Sequence, residues 1–229
     1  MLLAALLTTA AVPKLLVFSK TTGFRHDSIP NAVAALRNLG TANKFEIDAT
    51  EDSSVFTKEN LKQYKGIIFA MTTGDVLNND QQNAMQQFVE SGGGWVGIHS
   101  ASDTEYDWPW YAELVGAYFK SHPPGGQTVK LTVEDPQHPS MKGIPKEWSR
   151  ADEWYNWREN PRSKVHVLIS ADESTYKTTP PEDHPITWCN NAKKGRAWYT
   201  EMGHFKEAYS EPLYLQHLLG GIKWACKLK

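Results

Sequence analysis

The sequence predicts a single α/β domain, with a mostly parallel sheet covered by helices on both faces and a β-rich C-terminal half. Three observations carry this. From residue 14 to residue 99, short apolar runs alternate with stretches of helical spacing. That β-α-β-α-β-α-β rhythm requires right-handed crossovers and a parallel sheet. After Gly116 the pattern changes to period-two alternation, which belongs to antiparallel or edge strands. Finally, 229 residues with 40% hydrophobic content can bury one sizeable core, and no linker or internal repeat divides them. One domain over residues 13–229 is expected, behind a leader of residues 1–12.

That leader is apolar and ends in small residues, as the back part of an export signal would, although it lacks a basic start. It is read as a secretion signal, the alternative being a leader on a cytosolic protein. Residues 14–19 then form a first, central strand. After the loop at residues 21–27, Asp27 or Ser28 caps a helix whose apolar positions are Ile29, Val33, Leu36 and Leu39, and Gly40 ends it. Residues 45–49 are strand two. Thr57, with Asn60 three positions on, starts a short helix before a third strand at residues 66–71. Asn79 or Asp80 caps a helix that buries Met85, Phe88 and Val89. The glycine run at 92–94 returns the chain to a buried strand at residues 95–99, and Pro109 opens a short helix. Strands follow at residues 128–133, 165–169 and 186–189, a hairpin turn at 190–195 leads into 196–200, and an amphipathic helix closes the chain at 212–227.

Composition excludes several classes. A net charge of −2 with no long basic run gives no footprint for nucleic acid. The leader is too short to span a bilayer, so no membrane partner is expected. Cys189 and Cys226 are too few and too far apart for a disulfide framework and read as small buried hydrophobes. Nine tryptophans are the outlier, and several sit in loops beside acids and amides, a composition suited to a ligand surface. Homo-oligomer formation is left open.

Four loop groups fall at positions that can line a pocket beyond the strand ends. The central one is Gly97-Ile98-His99-Ser100-Ala101, which has the small-x-nucleophile-x-small spacing of a nucleophile elbow but holds an imidazole at its centre. His99 there can be an acid, a base, a metal ligand or a hydrogen-bond donor, and is a poor acyl-transfer nucleophile. Ser100, Asp103 and the aromatic run from Tyr106 to Tyr111 leave the same strand end. The second group, Gly23-Phe24-Arg25-His26-Asp27, lies at a helix N-terminus where Arg25 and His26 suit an anion or a sugar hydroxyl, or simply cap the helix. The third, Asp152-Glu153-Trp154-Tyr155-Asn156-Trp157, interleaves carboxylates with flat rings, as a sugar with apolar faces and hydroxyl edges requires. The fourth, Tyr199-Thr200-Glu201-Met202-Gly203-His204, delivers His204 from a strand end, with Gly203 allowing close backbone approach. Histidines 26, 99, 122, 184 and 204 raise a zinc-like divalent metal, with His99, His204 and His122 as the expected ligands, although no H-x-x-x-H spacing demands one. His122, His138 and His184 each precede proline and are equally explained as fixed turn elements.

Together, Gly23-Phe24-Arg25-His26-Asp27-Ser28, the glycine run through His99-Ser100, Asp152-Glu153-Trp154-Tyr155, His184-Pro185-Ile186-Thr187-Trp188 and Gly195-Arg196-Ala197-Trp198-Tyr199 with Gly203-His204 resemble the trehalose-utilisation (ThuA-like) family. That family lies within the class I glutamine amidotransferase-like superfamily. The resemblance implies a flavodoxin-like three-layer α/β/α fold, with His99 where amidotransferases place their cysteine and His204 near their catalytic histidine. Cys189 does not match the nucleophile position, so glutaminase activity is not expected. The resemblance implies a carbohydrate partner, a disaccharide or an oxidised 3-keto-sugar. The expected enzyme uses His99 and His204 as an acid/base pair or as metal ligands, Asp103 or Glu201 to orient an imidazole, and Arg25, His26, Ser100, Trp154, Tyr155 and His184 to hold the sugar. The alternative is a non-catalytic sugar-binding module with a degenerate site.

Overall fold

Alternation along the first strand sets the layers of this computed structural model, which describes residues 11–176 and 181–229. In β1 (Lys14–Phe18), Leu15 and Val17 enter one core while Leu16 and Phe18 enter the other. The chain continues through α1 (Ile29–Asn43), β2 (Glu46–Thr50), α2 (Lys58–Leu61), β3 (Tyr64–Ala70), α3 (Asn79–Glu90), β4 (Gly94–Ile98) and α4 (Pro109–Val115). It then forms β5 (Phe119–Ser121), β6 (Gln127–Val133), β7 (Glu147–Asp152), β8 (Asn156–Trp157), β9 (His166–Ala171), β10 (Pro185–Ala192), β11 (Gly195–Thr200) and α5 (Pro212–Ala225). The expected leader falls almost wholly outside the described residues.

One nine-stranded sheet runs through both halves in the order β2-β1-β3-β4-β11-β10-β9-β6-β7. From β2 to β11 the neighbours are parallel, and from β11 to β7 they are antiparallel. The switch is made by the hairpin in which Ala192 pairs with Gly195, with Lys193 in the left-handed conformation at φ 53°. β11 thereby returns to lie parallel beside β4, so the late strand and the elbow strand end side by side. Helices α1 and α5 cover one face; α2, α3 and α4 cover the other. No helix among the described residues is long and apolar enough to cross a membrane.

Several boundaries differ from expectation for local reasons. β1 is interior but next to the edge strand β2, so the sheet is not centred on it. α1 runs through Gly40 to Asn43 and closes on Lys44 at φ 61°. Gly40 is needed instead for close approach, since a Cβ there would stand 2.6 Å from the Phe45 carbonyl oxygen. Asn78, one residue earlier than expected, caps α3 in a capping box with Gln81. β7 was not anticipated because its inward positions include Arg150 and Asp152, which hide the apolar alternation.

The carboxyl ends of β1, β3, β4 and β11 carry loops that are tied together. Thr21 bridges to Thr73, Gly74 bridges to Thr104, and the Ser28 hydroxyl at the start of α1 donates to the His204 carbonyl at 2.7 Å instead of capping its own helix.

Candidate active site

At the end of β4 the backbone turns sharply at His99, whose φ of 51° is one a non-glycine residue holds only when its surroundings impose it. Here they do. The Tyr199 hydroxyl donates to the His99 carbonyl at 2.7 Å, and Gly97 is obligatory because a Cβ there would stand 2.4 Å from the Trp95 ring. The imidazole is fully buried, and its Nδ1–H donates to the Glu201 carbonyl at 2.7 Å. In the neutral ring that bond fixes the tautomer, with the proton on Nδ1 and Nε2 as the acceptor nitrogen. Nε2 receives the Tyr155 hydroxyl at 2.8 Å and lies 3.1 Å from His204 Nδ1 and 3.4 Å from Glu153 Oε2.

His204 is delivered by a peptide pinned from three sides. The buried Asp152 carboxylate accepts from the Gly203 and His204 N–H groups at 2.8 and 3.1 Å, and Ser28 holds the His204 carbonyl. Gly203 is required because a Cβ would meet the Tyr214 hydroxyl at 2.3 Å, and its φ is 122°. Arg150 balances the Asp152 charge at 3.0 Å while its guanidinium lies over the Tyr214 ring.

Glu153 joins the histidines. Its Oε2 stands 3.1 Å from His204 Nδ1 and its Oε1 3.2 Å from His122 Nδ1. Burial alone would raise the Glu153 pKa, but the neighbouring His204 and His99 outweigh it and hold the carboxyl well below the usual range. Against its own burial, His204 is in turn held above its ordinary value by Glu153. His26 completes the group, its ring edge-on to His99 at 4.8 Å and its Nδ1 3.4 Å from the Ser100 hydroxyl. Burial, with His99 and His204 adding to it, pushes His26 down to about 2, so this ring is neutral. The cluster therefore sets His99 Nε2, His204 Nδ1 and the Glu153 carboxylate within one another's reach, with Glu153 favouring the protonated form of His204.

The structure thus brings together His99, His204, His26, Ser100 and Tyr155 of the expected site. It separates the others. Arg25 points to the opposite side of its loop and forms an exposed two-pronged pair with Glu51 at 3.0 and 2.7 Å. Trp154 is 0% exposed, with its indole N–H donating to the Gln127 carbonyl at 2.7 Å, so it has no face for a sugar. Asp103 bonds the Tyr106 hydroxyl at 2.5 Å and has no bond to either central imidazole. Glu201 does orient His99, but through its peptide carbonyl; its buried carboxylate accepts from the Tyr155 N–H and lies 3.5 Å from His184 Nε2. His184 is buried between Glu201 and Glu173 and does not reach the open side of the site. His122 stands on the rim, touching Glu153 through the oxygen that faces away from His99. A separate recess lined by Asp75, Glu105 and Trp108 shares no residue with the cluster, and Glu105 is occupied there by the Val76 and Leu77 N–H groups and Gln82.

The family model for trehalose utilisation, ThuA, matches residues 14–225. The chain belongs to the ThuA family. Among solved structures it is similar to a ThuA-like protein from Bacteroides uniformis, with 28% identity and a TM-score of 0.80 over 95% of this chain and 93% of that one. A ThuA-like protein from Parabacteroides merdae is 20% identical, with a TM-score of 0.75 over 94% and 90% of the two chains. A β-galactosidase from Bacillus circulans sp. alkalophilus shares the fold over 97% of this chain and 32% of its own, at 14% identity and a TM-score of 0.61. No curated protein sequence matches.

The ThuA fold is flavodoxin-like, and its elbow carries no thiol. Both cysteines are free and buried, Cys189 beside His138 at 3.6 Å, and burial pushes each thiol up to about 12. Neither can serve as a nucleophile at neutral pH. Two residues central to this ThuA site were not singled out from the sequence, Asp152 and Glu153. Both lie in the run from Asp152 to Trp157, but only the end of β7 decides that Asp152 faces the His204 peptide and Glu153 the imidazoles.

Proposed function

We propose that this ThuA-family chain is an enzyme acting on a disaccharide or a 3-keto-sugar, with His99 and His204 as its acid/base pair. The observation that carries this is the approach of two imidazoles, His99 Nε2 and His204 Nδ1, to 3.1 Å beside the Glu153 carboxylate. The Glu201 carbonyl takes the His99 Nδ1–H, so that in the neutral ring Nε2 is the nitrogen that accepts a proton, while Glu153 beside His204 favours the proton-donating form of that ring. A 3-keto-sugar suits such a pair, because its ketone acidifies the adjacent C2–H. His99 would take that proton, the C–H electrons would form the C1–C2 double bond, and the departing glycosidic oxygen would take a proton from His204. Tyr155, donating to His99 Nε2, is placed to hold a substrate oxygen when the proton moves. A zinc-like divalent cation also suits this donor set and would supply polarisation of a carbonyl or hydroxyl oxygen.

The sugar class is supported by the family's association with trehalose utilisation. A non-catalytic binding module has less support, because the centre is a convergence of titratable groups rather than an aromatic platform. The test is incubation with trehalose, other disaccharides and their 3-keto forms, with products followed by NMR. Turnover of at least one is expected, lost in His99→Ala and His204→Ala and in His99→Gln, whose amide cannot shuttle a proton. Full activity in both alanine variants, or no turnover of any of these sugars by the unaltered protein, would overturn the reading.

A further inference from the structure

We infer that the cluster is a mononuclear divalent-metal centre whose inner ligands are His99 Nε2, His204 Nδ1 and the Glu153 carboxylate, with His26 facing the fourth position. This rests on the cluster being the working site, as proposed above, and not on the identity of the sugar; with a metal bound, His99 Nε2 and His204 Nδ1 would be its ligands in place of an acid/base pair.

Distances make the first argument. The three donor atoms stand 3.1, 3.1 and 3.4 Å from one another. Ligands on a tetrahedral zinc at about 2.0–2.1 Å are separated by about 3.3 Å, so an ion just off the plane of this triangle would lie at bonding distance from all three, with the Tyr155 hydroxyl giving up its bond to His99 Nε2. His26 is the outlier, since with it included the four donor atoms lie within 4.8 Å of one another. A ring set back in this way leaves room at the fourth position for a water or a substrate oxygen. That opening separates catalytic zinc sites from closed structural ones.

The surroundings make the second argument. A metal-bound histidine characteristically donates its other N–H to a carbonyl or carboxylate, which fixes the ring and the tautomer. His99 does so to the Glu201 carbonyl, itself held in place by β11 and by the buried partners of the Glu201 side chain. His204 is anchored instead through its peptide, by Asp152 and Ser28. Imidazoles with one carboxylate favour zinc, cobalt, nickel or ferrous iron over magnesium or calcium, which take oxygen ligands. The expected ligand His122 is displaced from the inner set. Of the cluster's donor atoms it approaches Glu153 Oε1, at 3.2 Å, its Nδ1 also lies 2.9 Å from the Pro123 carbonyl, and its side chain is 39% exposed, so it supports the carboxylate from outside.

The competing occupant of the triangle is a proton on His204, bonded to Glu153. Chelator-treated full-length protein titrated calorimetrically with zinc chloride, and with cobalt(II) followed by its visible d–d absorption, decides between them. One equivalent is expected, with the cobalt spectrum of a four- or five-coordinate site. Glu153→Gln and His204→Ala should each weaken zinc binding on the order of 100-fold or more, His26→Ala about 10-fold, and His122→Ala no more than a few-fold. Circular dichroism checks that each variant folds, and the unaltered protein alone gives the stoichiometry. Absence of stoichiometric uptake, or one-equivalent binding that survives both Glu153→Gln and His204→Ala, overturns the inference. Sugar turnover by metal-free protein would reject the metal while leaving the acid/base reading intact. Zinc bound with the expected variant profile, but with no sugar turned over, would support the metal and reject the substrate.

Discussion

Two carboxylate–imidazole clusters meet at Glu201, and only one of them is open. In the first, His204 and Glu153 have side chains 24% and 10% exposed beside the buried His99. In the second, Glu173, His184 and Glu201 are 4%, 3% and 0% exposed. Both place an imidazole against carboxylate oxygens at 3.1–3.5 Å, so bond lengths do not distinguish them. Access does. A sealed charge cluster can exchange nothing with a substrate and carries a desolvation penalty, so its use lies in what it holds still. Through one residue it holds both the His99 tautomer, by the Glu201 carbonyl, and the Tyr155 backbone, by the Glu201 carboxylate.

The largest effect that sharpens this contrast is on turnover. His99→Ala should lower the rate on the cognate sugar by about 10²–10⁴-fold, the usual range for a general acid or base. It should also cost stability, since the ring is fully buried and alanine would inherit a φ of 51°. A folded, fully active His99→Ala protein would remove the open cluster from the chemistry.

Breaking the sealed cluster should instead appear first in unfolding. Glu201→Gln leaves a buried cation short of one partner and should cost about 3–5 kcal/mol in urea titrations. The pH dependence has a definite sign. Burial lowers the His184 pKa, but Glu201 and Glu173 outweigh it and carry it from 6.5 to about 9. The folded state therefore holds this proton more tightly than the unfolded chain. Its stabilisation is complete below pH 6.5 and is lost as pH rises through about 9. The wild-type urea midpoint should fall across that window, and part of the fall should vanish in His184→Gln. Identical pH profiles for the two proteins would contradict the assignment.

Aromatic truncation separates the same two environments. Trp154→Ala should cost about 3–5 kcal/mol of stability, because the ring is core. Phe24 is 66% exposed and edge-on to His26 at 4.8 Å, so Phe24→Ala should leave stability unchanged and weaken a saccharide by on the order of 1 kcal/mol. Calorimetric titration checks the second, and unchanged affinity would remove Phe24 from the sugar's path. The smallest effect is expected for Arg25→Ala. Its pair with Glu51 is about half exposed, and both stability and sugar affinity should change by less than about 1 kcal/mol.

The parts legible in the sequence were those written in contiguous patterns. The elbow was readable because a glycine run, a buried strand and a small-x-His-x-small turn are adjacent, and the late strand because a hairpin signal precedes it. Residue choice within the run from Asp152 to Trp157 was not readable. Trp154 and Tyr155 are neighbours of similar chemistry, yet one enters the core and the other meets His99, and only the path of the chain after β7 decides which. The same holds for Glu201, whose carbonyl and carboxylate perform different tasks on opposite sides.

The most direct test follows the histidine ring nitrogens themselves. In ¹⁵N-histidine NMR spectra titrated with trehalose and its 3-keto form, the His99 and His204 resonances should shift saturably with the sugar that is bound. Those of the sealed His184 and of His217, buried against Thr200, should stay in place. Shifts confined to His184 or His217, with His99 and His204 unmoved at saturation, would contradict the account.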